Sequence, residues 1–251
     1  KSLEEVNSET KDLIDFLGLS GLEDIIASDL SYGGQRLLEI GLAVATQPRV
    51  LLLDEPLVGL AAQERERIIA LIKSLADYMA ILLIEHDIDR VFEFSDFVTV
   101  MNEAQVLVTG KPDDVRYNEQ VQIAYLGSGK DKIIQTQSNS GRDYDRDAEP
   151  RLLELEAINT YYGKSHILND VSLDVCKGEI VALLGRNGAG KSSTLKSIMG
   201  IAPVADGRIT FNGREIQHFQ PEEISRLGIG LVPQGRRLFS NLTVEENLQI
   251  G

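Results

Sequence analysis

Gly185-Arg186-Asn187-Gly188-Ala189-Gly190-Lys191-Ser192 is a complete G-x-x-x-x-G-K-S stretch, and its setting decides the fold. The apolar run Ile180 to Leu184 precedes it as a buried strand would. A helix from about Lys191 to Met199 follows and is closed by Gly200. Glycines let backbone N–H groups turn inward around phosphates, and the helix start adds its positive end. Lys191 is placed to reach the outer phosphates, and the Ser192 hydroxyl to ligate Mg²⁺; Ser193 continues the first helical turn. The chain is expected to bind a nucleoside triphosphate.

Working outward, Val50-Leu51-Leu52-Leu53-Asp54-Glu55-Pro56 puts two acids at the carboxyl end of a buried strand. Ligands of open parallel sheets bind at that edge. There Asp54 can hold Mg²⁺ directly or through water, and Glu55 can polarise an attacking water. Acids that cap a strand are often only structural; the phosphate loop in the same chain favours chemistry. His86 ends the next apolar run, Ala80 to Ile84, on the same edge, within reach of a terminal phosphate. Further strands are expected at Phe97 to Met101, Val106 to Val108, around Leu153 and Leu155, and around Val171 to Val175. Leu13, Ile14 and Leu17 share one helical face, as do Ile68, Leu71, Ile72 and Leu75. This alternation predicts an α/β fold with a largely parallel sheet.

Leu30-Ser31-Tyr32-Gly33-Gly34-Gln35 lies about twenty residues before the acidic strand. By itself Ser-x-Gly-Gly often marks only a helix cap. Beside the phosphate loop, Asp54-Glu55 and His86, it resembles the signature motif of ATP-binding cassette (ABC) ATPases. That resemblance implies a P-loop NTPase fold of ABC type, with a mostly parallel core sheet, an antiparallel β subdomain and a partial helical subdomain. It implies ATP and Mg²⁺ as cofactors, Glu55 and His86 as catalytic residues, and Tyr162 as the aromatic that stacks on adenine. Gln234, in Val232-Pro233-Gln234, matches the loop glutamine that senses Mg²⁺, alongside Ser192 and Asp54. It also implies ATP hydrolysis, membrane permease subunits as partners, a second cassette in a dimer, and a cytoplasmic place on the inner face of the membrane. Residues 1–126 and 151–251 are most similar to the back and front halves of two companion ATPase subunits of branched-chain amino acid importers; relatives that carry urea or short amides look much the same. In three places the chain departs from the family pattern: Tyr32 occupies the place of the first signature glycine, Gly34 that of the usual glutamine with Gln35 one place later, and Ala61 stands where the wider family has an Asp that communicates between paired sites.

The bulk composition is consistent with this. A net charge of −14 speaks against a nucleic-acid partner, which needs a basic face. No apolar run approaches the ~20 residues of a membrane span. The single cysteine, Cys176, excludes an internal disulfide and is expected to be a buried thiol. The chain starts at Lys1 rather than Met, which suggests trimming.

Residues 127–150, rich in Gly, Ser, Asn and charge, are expected to form a flexible linker, with Ile133-Ile134 as its one hint of docking. The motifs therefore run in inverted order: signature, acidic strand and histidine (1–126), linker, then tyrosine, phosphate loop and glutamine (151–251). Two arrangements stay open. The favoured one is a window of a longer fusion of two cassettes. The other is a circular permutant whose halves complete one cassette, which a linker spanning ~27 Å permits. Two other functional classes stay open as well, a soluble ABC factor outside transport and a module that holds nucleotide without turnover. A long charged connector or coiled coil would mark the former, and Glu55 argues against the latter.

Overall fold

The apolar runs Val50–Asp54 (β1) and Ala80–Ile84 (β2) lie side by side in parallel, with every residue buried. The structure, a computed structural model, describes residues 3–126, 144–235 and 237–250. Phe97–Asn102 (β3) and Gln105–Gly110 (β4) follow in the first half. The second half supplies Arg151–Tyr162 (β5), Ser165–Cys176 (β6), Ile180–Gly185 (β7), Val204–Phe211 (β8), Arg214–Glu215 (β9) and Ile229–Val232 (β10). One sheet has the order β10-β1-β2-β7-β3-β4, parallel throughout except for the β3–β4 pair. An antiparallel sheet, β6-β5-β8-β9, stands apart from it. Strands from both halves are thus interleaved in a single sheet, with β7 between β2 and β3 and β10 beyond β1.

Alternation along the buried strands divides the core in two. Leu51, Leu53, Ile81, Leu83, Ala182 and Leu184 face the helices, among them Leu3–Phe16 (α1), Tyr32–Ala45 (α2) and Ala62–Leu75 (α3). Val50, Leu52, Leu82, Val181 and Leu183 face the antiparallel sheet. The short helix Ile88–Phe94 (α4) follows β2, and Pro112–Arg116 (α5) and Glu119–Leu126 (α6) follow β4. The helix of the phosphate loop, Lys191–Ile198 (α7), buries Leu195 and Ile198 in the second cluster. Pro221–Leu227 (α8) leads into β10, and Val244–Ile250 (α9) packs on α2 and α1.

Most of the expected linker, including Ile133 and Ile134, lies outside the described residues. Tyr144–Pro150 is described, and here the chain is pinned: its low apolar content conceals a charged anchor. The Tyr144 hydroxyl donates to the Lys177 carbonyl at 2.8 Å. Arg146 pairs with Asp174 at 2.7 Å and Glu179 at 3.4 Å, and its guanidinium lies 3.9 Å from the centre of the Phe97 ring. Burial pushes the Glu179 carboxyl up to about 7, against the pull of the Cys176 N–H and Arg146. Cys176 is a buried free thiol, pushed up by the same burial.

A carboxyl raised on folding stabilises the fold fully below its unfolded value and loses that contribution as pH rises through its folded value. For Glu179 the window runs from its ordinary 4.5 to about 7. Urea titrations should therefore show wild type losing on the order of 3 kcal/mol more than Glu179→Gln across that window. Parallel pH profiles for the two proteins would contradict this.

Candidate active site

β7 delivers the phosphate loop straight from the core, and local sterics explain two of its glycines. A Cβ at Gly185 would stand 2.6 Å from the Met101 carbonyl oxygen. Gly190 caps α7 at φ 103°, where a Cβ would stand 2.8 Å from Leu168. Arg186, Asn187 and Gly188 are exposed at the tip, and Ala189 is buried beneath it. The Lys191 ammonium turns back into the loop, donating to the carbonyls of Gly185 at 2.7 Å and Arg186 at 3.3 Å. Burial lowers its pKa, and the charges of Glu55, Asp54 and Glu85 oppose that shift. Ser193 follows, half-buried, in the first helical turn.

The acidic strand end meets this loop directly. The Ser192 hydroxyl donates to Asp54 Oδ1 at 3.2 Å, across 138 residues of sequence. Asp54 is buried, which raises its pKa, while the Ser192 hydrogen bond and nearby lysines lower it. Glu55 accepts from Gln234 Nε2 at 2.8 Å. His86 Nδ1 lies 4.0 Å from Glu55 and 3.9 Å from Glu85. The structure therefore gathers Asp54, Glu55, His86, Lys191, Ser192 and Gln234 at one sheet edge. Two oxygen ligands beside a phosphate loop suit Mg²⁺, a hard cation that takes one or two protein oxygens together with phosphates and water. Among the described residues, no group of three or more His, Cys, Asp or Glu could hold a metal ion.

The other expected residues serve local structure or stand apart. Ser31 caps α2, its Oγ accepting from the Gly34 N–H at 3.1 Å. The Gly33 N–H donates to Glu64 at 3.0 Å, and the Tyr32 hydroxyl donates to the Val58 carbonyl at 3.3 Å. Gln35 Nε2 donates to the carbonyls of Ser28 and Leu30, each at 3.1 Å. Tyr162 is exposed at the β5–β6 hairpin end. Its neighbour Tyr161 stacks on His166 with ring centres 4.3 Å apart. Among the described residues, Ser31 and Tyr162 stand outside the hydrogen-bond network of the sheet edge.

Three residues of this region escaped the sequence reasoning. Glu85, 1% exposed, accepts from the N–H groups of Leu57 at 2.8 Å and His86 at 3.4 Å, so it links the two loops at the sheet edge. Burial raises its pKa. Arg36 and Glu39, both buried on α2, pair at 2.9 Å. With Tyr32, Glu55 and Gln234 they line a cleft of about 440 Å³. A charge directly after an apolar run, Glu85 between Ile84 and His86, was the one available signal.

Comparison with known proteins gives four matches. The family model described as "ABC transporter" matches residues 3–58 and 168–250. The ribose import ATP-binding protein RbsA of Rhodococcus jostii is 31% identical over 251 aligned residues, covering 96% of this chain and 46% of that protein. The branched-chain amino acid transport ATP-binding protein BraG of Pseudomonas aeruginosa is 49% identical over 100 residues, 40% of this chain and 43% of that one. The ADP-conformation structure of MJ1267, an ATP-binding cassette of an ABC transporter, is 31% identical, with a TM-score of 0.47 over 51% of this chain and 52% of its own. The chain spans about half the length of the curated relatives it matches over nearly all of its own residues.

Proposed function

Since this chain belongs to the ABC transporter family, we propose that it binds ATP with Mg²⁺ and hydrolyses it to drive import of a small solute. The observation that carries the proposal is the 3.2 Å hydrogen bond between Ser192 and Asp54, which brings the phosphate loop of one half onto the acidic strand of the other. Bound Mg²⁺ would supply charge neutralisation for the phosphates, held by Ser192 and Asp54 with Gln234 beside them. Lys191 exchanges its loop carbonyls for phosphate oxygens. Glu55, fixed by Gln234, orients the water for in-line attack, and His86 steadies the terminal phosphate. Tyr162 stacks on adenine, and the signature Ser31 to Gln35 serves the phosphate loop of a second cassette.

In this reading, residues 1–126 and 151–251 complete one cassette in permuted order, supported by the interleaved sheet. A second arrangement, a longer parent with two cassettes, is favoured by the continuous match along a relative about twice as long. In either, the partners are membrane permease subunits, the kind that import ATP-binding proteins such as its relatives serve. The 49% identity to BraG over 40% of this chain favours branched-chain amino acids as cargo, and the match to RbsA over 96% of this chain favours ribose.

Calorimetry and a phosphate-release assay on the purified chain test the self-contained site. One Mg-ATP bound per chain, one cooperative unfolding transition and measurable turnover are expected. Binding without turnover sinks the self-contained cassette in favour of the two-cassette parent.

A further inference from the structure

Glu55 stands at φ 49°, in the left-handed region. A residue with a Cβ is strained there, and keeps the conformation when its surroundings impose it. The Glu55 N–H is tied to the Ile84 carbonyl at 3.0 Å, and a guanidinium holds the backbone on either side. Arg36, in the second turn of α2, is only 7% exposed. Its Nη2 donates to the Asp54 carbonyl at 3.0 Å and its Nε to the Pro56 carbonyl at 3.2 Å, so it grips the backbone on both sides of Glu55. Its Nη1 donates to Glu39 at 2.9 Å. The other oxygen of Glu39 accepts from the backbone N–H of Arg237 at 2.9 Å, three residues past Gln234.

We infer that Arg36, oriented by Glu39, is the positioning residue that holds Glu55 in its left-handed conformation and ties the signature helix and the glutamine loop to the acidic turn. This rests on Glu55 being the group that orients water. The fork is essential: two carbonyls on either side of one residue need two N–H groups at fixed spacing, which a lysine ammonium lacks. A buried ion pair kept for stability alone would not need those bonds, since apolar residues of similar volume often serve stability as well. The same brace makes the tilt of α2 an input to the turn, so a shift of the signature helix moves the water-orienting carboxylate.

The test uses the full chain with Arg36→Met, Arg36→Lys, Glu55→Gln and the Arg36→Met/Glu55→Gln double variant. Turnover at saturating Mg-ATP should fall at least about tenfold in both Arg36 variants, while the ATP dissociation constant stays within about threefold. In the Glu55→Gln background, Arg36→Met should cause no further fall, because both changes act through one group. Amide hydrogen exchange supplies a readout independent of turnover: the Glu55 N–H should exchange roughly tenfold faster in Arg36→Met, with Leu51 to Leu53 unchanged. Should Arg36→Met fail to fold, the milder Glu39→Gln reads the same quantities. Equal falls in both backgrounds, or unchanged exchange at Glu55, overturn the positioning role and leave Glu55 as the base. Turnover indifferent to Glu55→Gln overturns the parent assignment instead, and the exchange measurement still decides whether Arg36 fixes the turn.

Discussion

Glu55→Gln is expected to slow ATP turnover roughly 10²- to 10⁴-fold while ATP affinity changes little. The substitution keeps the side-chain volume and can still accept from Gln234 Nε2, so the turn after β1 is preserved. What it removes is the charge that polarises water. The group sits at the meeting of three loops, with His86 Nδ1 4.0 Å away and the backbone N–H tied to the Ile84 carbonyl at 3.0 Å. A loss of this size from an isosteric change is the mark of a catalytic group rather than a structural one. Phosphate release measured with saturating Mg-ATP gives the number. A variant that turns over as fast as wild type would remove Glu55 from the mechanism.

Lys191→Ala should weaken ATP binding by roughly 10²-fold, the equivalent of one charge-assisted hydrogen bond lost from a desolvated site. The physical reason is visible in the loop. Lys191 is 6% exposed, its ammonium is bonded to neutral carbonyls, and burial already lowers its pKa. A phosphate offers it a far better partner. Removing a buried cation relieves a desolvation cost, so the variant should keep its melting temperature within a few degrees. That pairing of outcomes separates a ligand-binding lysine from a scaffold one. Titration calorimetry showing unaltered ATP affinity would sink the assignment, and a collapse of the fold would assign Lys191 to structure.

The sheet was legible because its strands carry continuous apolar runs: Val50 to Leu53, Ala80 to Ile84 and Ile180 to Leu184 can hardly be anything but buried. Their carboxyl ends name the edge where Asp54, Glu55, His86 and the phosphate loop come together. The Arg36–Glu39 brace was illegible for an equally physical reason. An Arg and a Glu three apart on a helix read as a solvated pair, and only tertiary packing buries them at 2.9 Å. The same holds for Arg146, whose polar surroundings suggested a free linker although it pins Tyr144–Pro150 to Asp174 and Glu179. Glu64 gave no sign either: its link to the Gly33 N–H joins residues 31 apart. Periodicity reports burial, whereas these contacts depend on which polar groups a buried edge leaves unsatisfied.

The position of β7 between β2 and β3 has a consequence for biosynthesis. A ribosome that has made residue 126 has made β2 and β3, but the strand that joins them is still unmade. At ~5–20 residues per second, Ile180–Gly185 emerges only after roughly several more seconds. Throughout that interval two apolar strands show bare N–H and C=O edges, the template on which nascent chains aggregate. Yield in the cell is therefore expected to depend on holdase chaperones and translation speed, and slowing synthesis across the intervening residues lengthens the hazard.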